Sequence, residues 1–265
     1  MSKISDSLNH KNIVCPFCSL HCDDLEIDVH DNKLYVKSNV PKSCAYKYEK
    51  LNLAKFKDMV TTVKGKPCEP KKAYQYSKQL IKKSKETVLL NSSSDVNVTR
   101  EVLSTASKVN AIVDHVNSSI FLKNISIYQR RGYMATSLTE IKNKSDIIIV
   151  FSNNLFETYP RLMDKFLATK NSFSVNSKKK EIYVIGNKKN NIKDCNIRDK
   201  RITYVDYNNR NITKLLNSLI SKKNESSISN KVFNKLLASI ETSKYLSVLW
   251  ATSEFESYKE CDEIM

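Results

Sequence analysis

Apolar and polar positions along the chain change period several times, and each change marks an element. Leu25, Ile27 and Val29 alternate with polar residues, as do Leu34 and Val36, and Asp31-Asn32 lies between the two runs. Period-two alternation around a turn dipeptide predicts a short β-hairpin. Over 45–56 the spacing becomes helical, through Tyr48, Leu51 and Phe56. Residues 57–70 read as a linker, punctuated by Gly65, Pro67 and Pro70. Beyond it, strands are predicted over 87–91, 111–113, 146–151, 182–185, 202–205 and 246–250. Helices are predicted over 72–83, 95–109, 119–129, 211–220 and 228–240. Residues 1–12 are polar and read as a frayed tail.

The strongest strand contains Ile147-Ile148-Ile149-Val150, an unbroken apolar run. Such a run suits a parallel strand buried on both faces. Strand–helix alternation around it predicts an α/β fold with a doubly wound, mostly parallel sheet. The expected organisation is a small four-cysteine β-hairpin domain over 1–60, followed by a Rossmann-like α/β domain over 61–265. Ligands of doubly wound sheets sit at the carboxyl ends of the strands. The loop after Phe151, opening Ser152-Asn153-Asn154, and the loop after Val113 are therefore the places expected to bind.

Composition narrows the function classes. The formal charge is +16, which alone would suggest nucleic acid or an anionic membrane. The lysines are scattered instead, as pairs and triplets such as Lys71-Lys72, Lys82-Lys83 and Lys178-Lys179-Lys180. No dense basic helix with interleaved aromatics occurs, so neither nucleic acid nor membrane is the expected partner. Gly65, Gly132 and Gly186 are the only glycines, too few for a Gly-rich phosphate loop of either standard kind. No run of about 18 apolar residues exists to span a bilayer, and residues 1–12 have no signal-peptide core. A reducing, cytoplasmic setting is expected, in which closely spaced cysteines indicate metal chemistry rather than disulfides.

Those cysteines are the sharpest chemical signal. Cys15-Pro16-Phe17-Cys18 is a C-x2-C, Cys22 follows after three residues, and Cys44 after 21 more. The pattern delivers three thiolates from a tight loop and one from just before a helix, where the dipole favours an anion. Four soft ligands suit a [4Fe–4S] cluster or a structural Zn²⁺ and exclude Mg²⁺ and Ca²⁺. The three-residue gap favours the cluster over a zinc knuckle, and an unloaded site is the third state these residues leave open. Cys68, Cys195 and Cys261 are isolated and read as small core or surface residues.

The segment Cys15-Pro-Phe-Cys-Ser-Leu-His-Cys-Asp-Asp24 resembles the opening of the B subunit of formylmethanofuran dehydrogenase, and of its counterpart in the formyltransferase/hydrolase complex of methylotrophic bacteria. Ala111-Ile-Val-Asp114, Gln129, Gly132-Tyr133 and Ser137-Leu-Thr-Glu-Ile-Lys-Asn143 are similar to later family segments. So are Asp146-Ile-Ile-Ile-Val150, Asn154 and Pro160-Arg161. The likeness is clear over residues 13–170 and fainter to Trp250. It implies a molybdopterin oxidoreductase-like fold that ends early here, soon after Trp250. It also implies a [4Fe–4S] cluster beside a tungsten or molybdenum pterin in the family's active members, which reduce CO2 to formate for transfer to methanofuran.

The same resemblance implies a loss. A Cys-His-Gly-Pro stretch supplies the family's metal ligand and catalytic histidine, and a gap-free placement sets it on Ile120-Phe121-Leu122-Lys123. Isoleucine offers no ligand and phenylalanine no proton. Ser152 stands where a glycine is usual, and Leu155 where a proline is usual. The expectation is therefore a non-catalytic subunit of a formyltransferase/hydrolase-type complex in one-carbon metabolism. In it Cys15, Cys18, Cys22 and Cys44 hold any metal group, no tungsten or molybdenum pterin is bound, and the other subunits of the complex are the partners. Two rivals stand beside it. One is an active metal-pterin formate or formylmethanofuran dehydrogenase subunit using Ser118 or Ser119 as a substitute oxygen ligand. The other is a basic zinc protein contacting nucleic acid. His115 is expected to cap the strand before it, and Asp23 and Asp24 to accept backbone N–H groups of the cysteine loop.

Overall fold

A computed structural model of the chain describes residues 8–30, 33–53, 60–91, 95–152, 154–169, 180–186, 199–208, 211–255 and 258–264. The Asp31-Asn32 turn, Phe56, Asn153, Cys195 and the lysines at 178 and 179 lie outside them. The chain divides into two units, one made of Met1–Leu53 with Ser126–Met265, the other of Ala54–Ile125. One boundary between the units lies at 53/54. A second one at 125/126 has no mark in the sequence pattern, because it falls inside the helix Ser118–Arg131.

In the first unit the amino-terminal strands come first. β1 (Leu8–Ile13), β2 (Leu25–His30) and β3 (Lys33–Val36) form an antiparallel sheet in the order β1-β2-β3. The hairpin is as expected; β1 is a correction to the frayed tail. Its sequence, LNHKNI, has little strand propensity, but Leu8 pairs with Val29 and His10 with Ile27, and a register shift follows between His10 and Ile13. Pairing with an existing edge here outweighs local preference. Helix α1 (Lys42–Leu53) lies against β3. The Asn52 side chain fixes it there, accepting from the Leu34 N–H at 2.8 Å and donating to the Leu34 carbonyl at 2.5 Å.

The second unit begins with a two-strand ribbon, β4 (Thr62–Val63) and β5 (Lys66–Pro67), inside the expected linker. Lys64 and Gly65 turn it at positive φ, 52° and 73°, as a type I′ hairpin turn requires. Helix α2 (Pro70–Lys83), β6 (Val88–Asn91), α3 (Val96–Val109) and β7 (Ile112–His115) follow. Asp95 starts α3 as a true N-cap, its carboxylate accepting from the N–H groups of Asn97 and Val98 at 2.7 and 2.9 Å. β6 and β7 are parallel and pair with each other, with α3 as the crossover.

Helix α4 (Ser118–Arg131) leads back to the first unit, where α5 (Leu138–Lys144) precedes β8 (Ile147–Phe151). β9 (Glu181–Gly186), β10 (Ile202–Asp206) and β11 (Leu246–Trp250) complete a four-stranded parallel sheet in the order β10-β9-β8-β11. The expected single sheet is thus two parallel sheets among the described residues, the larger of four strands and the smaller of two. Alternation identifies strands and crossovers; it does not say which strands become neighbours.

The larger sheet is covered on both faces, and residue parity sorts the core. Ile147, Ile149, Phe151, Tyr183, Ile185 and Val205 face α7 (Ile212–Ser221), α8 (Asn230–Thr242) and α9 (Tyr258–Ile264). Ile148, Val150, Ile182 and Val184 face α5, α6 (Leu155–Thr158) and a π-helical turn at Met163–Leu167. All five β8 residues are buried, so its continuous apolar run has a partner on each side. At the entrance to β8 the Asp146 carboxylate accepts from the N–H groups of Ile147, Lys244 and Tyr245, which aligns β11 with it. Among the described residues no helix is long and apolar enough to cross a membrane.

One buried cation stands out. Lys180 has no exposed surface, and its ammonium donates to the carbonyls of Ile141 and Lys142 at 3.3 and 2.9 Å. It therefore caps the carboxyl end of α5, where the helix dipole is negative. Burial, with the nearby Arg201 and Lys142 charges, pushes its pKa down to about 8 from 10.5. Between those values the unfolded chain binds the extra proton, so stability rises with pH across that window. From pH 7.5 to 10, unfolding free energy should rise by about 2 kcal/mol more in the wild-type chain than in Lys180→Met, measured by denaturant titration at each pH.

Candidate functional site at the cysteine loop

Cys15, Cys18, Cys22 and Cys44 line one narrow recess, with Phe17, Tyr48, Lys47 and Arg161 also in its wall. The loop folds back through two backbone bonds, from Cys15 N–H to the Cys22 carbonyl at 2.8 Å and from His21 N–H to the Cys18 carbonyl at 3.2 Å. His21 adopts the left-handed conformation, φ 43°, which lets the chain reverse before Cys22. Cys15 and Cys22 are buried and Cys18 and Cys44 half-buried, and all are free thiols. Cys44 is not just ahead of α1, as the sequence suggested, but inside its first turn. Its N–H donates to the Pro41 carbonyl at 2.9 Å.

Two opposing influences set the charge of the thiols. Burial pushes Cys22 up, against the lowering effect of Arg161 and Lys165; burial also pushes Cys44 up, against Lys47. At Cys22 and Cys44 the neutral thiol is favoured until a cation enters and displaces its proton. Among the described residues no three His, Cys, Asp or Glu side chains converge on one ion-sized point.

Asp23 and Asp24 are expected from the sequence to bind backbone N–H groups of the cysteine loop; among the described residues they meet instead cations arriving from the other end of the unit. Arg161 grips Asp24 with two parallel bonds of 2.7 Å each. Lys165 reaches Asp24 at 3.0 Å and Asp23 at 3.4 Å. The Arg161 guanidinium, with Lys165, holds the Asp24 carboxyl well below the usual carboxylate range despite partial burial. Bidentate arginine outcompetes backbone donors because both its N–H bonds and its full charge are engaged together. Neither Arg161 nor Lys165 is legible as a site residue in the sequence, since only the fold brings residues 137 and 142 positions away to the loop.

Tyr48 takes the core position that its place on the helix face predicts. It is buried, and it stands edge-on to Phe17 with ring centroids 4.8 Å apart. Its hydroxyl has no hydrogen-bond partner of sound geometry among the described residues. The one sequence signal for its place at the site is spacing, because Cys44 and Tyr48 are i and i+4 on α1 and share a face.

The second expected binding region, at the carboxyl ends of the strands, is occupied by the chain itself. Ser152 donates to the Glu254 carboxylate at 2.7 Å and accepts from the Leu155 N–H at 2.7 Å. The Asn154 N–H points at both Glu254 oxygens, 3.3 Å from each. In the second unit β7 runs to His115, whose Nδ1 accepts from the Asn117 N–H at 3.3 Å, a capping role as expected. Ser118 bonds to Asp114 and lowers its pKa together with the His115 N–H. Ser118 and Ser119 lie in the first turn of α4, and Ile120, Phe121, Leu122 and Lys123 follow along it.

Comparison with known proteins agrees with the resemblance read from the motifs. The chain is similar to the B subunit of the tungsten-containing formylmethanofuran dehydrogenase 2 of Methanococcus maripaludis, 26% identical over 162 residues, which are 59% of this chain and 37% of that protein. The protein of the same name from Methanocaldococcus jannaschii is 26% identical over 167 residues, with the same two coverages. The chain thus matches a little over a third of these relatives' length. In fold it is similar to a chain in the crystal structure of the formyltransferase/hydrolase complex (FhcABCD) from Methylorubrum extorquens in complex with methylofuran. The TM-score is 0.59 at 15% identity, covering 77% of this chain and 55% of that one. No family model matches.

The Asp24–Arg161 pair holds the cysteine loop to the segment beyond β8. Asp24 is about half exposed, so the pair is worth less than a fully buried one. A double-mutant cycle with Asp24→Asn and Arg161→Met should give a coupling of about 1–2 kcal/mol in denaturant unfolding.

Proposed function

We infer that this chain is a homologue of the formylmethanofuran dehydrogenase B subunit that serves as a non-catalytic, structural component of a formyltransferase/hydrolase-type complex. In this reading Cys15, Cys18, Cys22 and Cys44 hold a [4Fe–4S] cluster, and the carriers handled by the complex are methanofuran or tetrahydromethanopterin derivatives. The observation that carries the reading is the contrast between two places in one chain. Four thiols line one recess, while Ile120-Phe121-Leu122-Lys123 offers no thiolate and no imidazole where the resemblance puts the metal ligand and catalytic histidine.

The residues present fit an iron–sulfur group. The donor set is wholly thiol, and two cationic side chains, Arg161 and Lys165, offset charge beside Cys22. Such a cluster, when bound, supplies one-electron chemistry or simply ties its ligands together. The chain's own residues account for the rest: the Asp24–Arg161 pair positions the loop, and Phe17 and Tyr48 shield the recess from water. Glu254 supports the absence of a pterin. Its carboxylate sits on Ser152 and the Asn154 N–H, and a fixed negative charge there opposes the phosphates of a pterin cofactor.

Metal analysis of the chain, purified without oxygen from its native host, tests this. About four irons per chain, no tungsten or molybdenum, and co-purification with formyltransferase/hydrolase subunits are expected. Tungsten or molybdenum near one per chain would make the protein an active dehydrogenase and overturn the reading.

A further inference from the structure

The Tyr48 hydroxyl stands apart from the polar contacts of the site. The residue is only 4% exposed, its oxygen is buried without a sound hydrogen-bond partner among the described residues, and it lines the same recess as the four cysteines. Leaving a buried hydroxyl unsatisfied destabilises the fold. The fold tolerates this although the ring is fixed by Phe17 at 89° and by its place one turn beyond Cys44. A phenylalanine would fill the same space without the penalty. In the thiol form of the site the hydroxyl lacks an acceptor in good hydrogen-bond geometry.

Neutral thiols are weak acceptors, whereas a metal-bound thiolate carries the charge that makes a good one. We propose that Tyr48 is a positioning residue that donates its O–H to the Cys15 sulfur once Cys15 is a thiolate ligand, and that this bond raises the reduction potential of the bound iron–sulfur group. The inference rests on the four-cysteine reading above. A hydrogen bond to a ligand sulfur spreads the negative charge gained on reduction and so favours the reduced state.

The test uses the full-length chain, reconstituted anaerobically with iron and sulfide, and a dithionite titration followed by electron paramagnetic resonance. Tyr48→Phe should bind as much iron as the wild type and titrate at a more negative midpoint, whereas Tyr46→Phe, on the exposed face of the same helix, should match the wild type. Placing 3-fluorotyrosine at position 48 strengthens the donor without changing the shape, and should move the midpoint the other way. That arm decides the matter if Tyr48→Phe does not fold. Unchanged midpoints in both position-48 variants would overturn the role of Tyr48 and leave the cluster in place. A wild-type chain that takes up no iron–sulfur group would overturn the four-cysteine reading itself.

Discussion

Strand β8 must be buried on both faces, and most of the larger unit follows from that. Five consecutive apolar residues without a polar interruption cannot face water on either side. They require a sheet neighbour at each edge and a helical layer above and below. The parity of β8 then divides the core into two, one under α7, α8 and α9, the other under α5, α6 and the π-helical turn. Chain polarity fixes what lies at its ends. Asp146 aligns β11 at the entrance. At the exit, Ser152 and Glu254 hold the connection to α6, and a short path from there brings Arg161 to the cysteine loop.

Elements dictated by local pattern are legible in the sequence. The unbroken run of β8, the alternation of β2 and β3, and the amphipathic periods of α2, α3, α7 and α8 fall within a few residues of their observed bounds. Elements created by tertiary partners are not legible. β1 exists because β2 offers an edge. α5 is a single capped stretch, too short to show a period; its one signal is the box formed by Ser137 and Glu140. The separation of β6 and β7 from the larger sheet is hidden for the same reason, since pairing choice leaves no trace in composition.

The site divides along the same line. Spacing in a tight loop brings Cys15, Cys18 and Cys22 together, because such spacing is already geometry, whereas Cys44 reaches the same recess on α1, after the β2–β3 hairpin. Their environment is invisible from sequence. Asp23 and Asp24 look like loop-capping residues and prove to be counter-ions for Arg161 and Lys165, on a segment far along the chain. In a chain of charge +16, these two carboxylates use two of the many cations to fix a loop.

Leu20 belongs to two cores at once. It packs with Cys15, Cys22 and Leu25 around the cysteines, and also against the layer under β8 that contains Leu155, Leu162 and Met163. A side chain shared in this way removes the seam along which a small amino-terminal module could detach. The cysteine loop and the large sheet are then expected to open together, so that amide protection in β8 and in the loop would rise and fall together. Filling the recess would therefore slow proton exchange at strand amides that never touch the bound group, so the small site acts on the opening equilibrium of the whole unit.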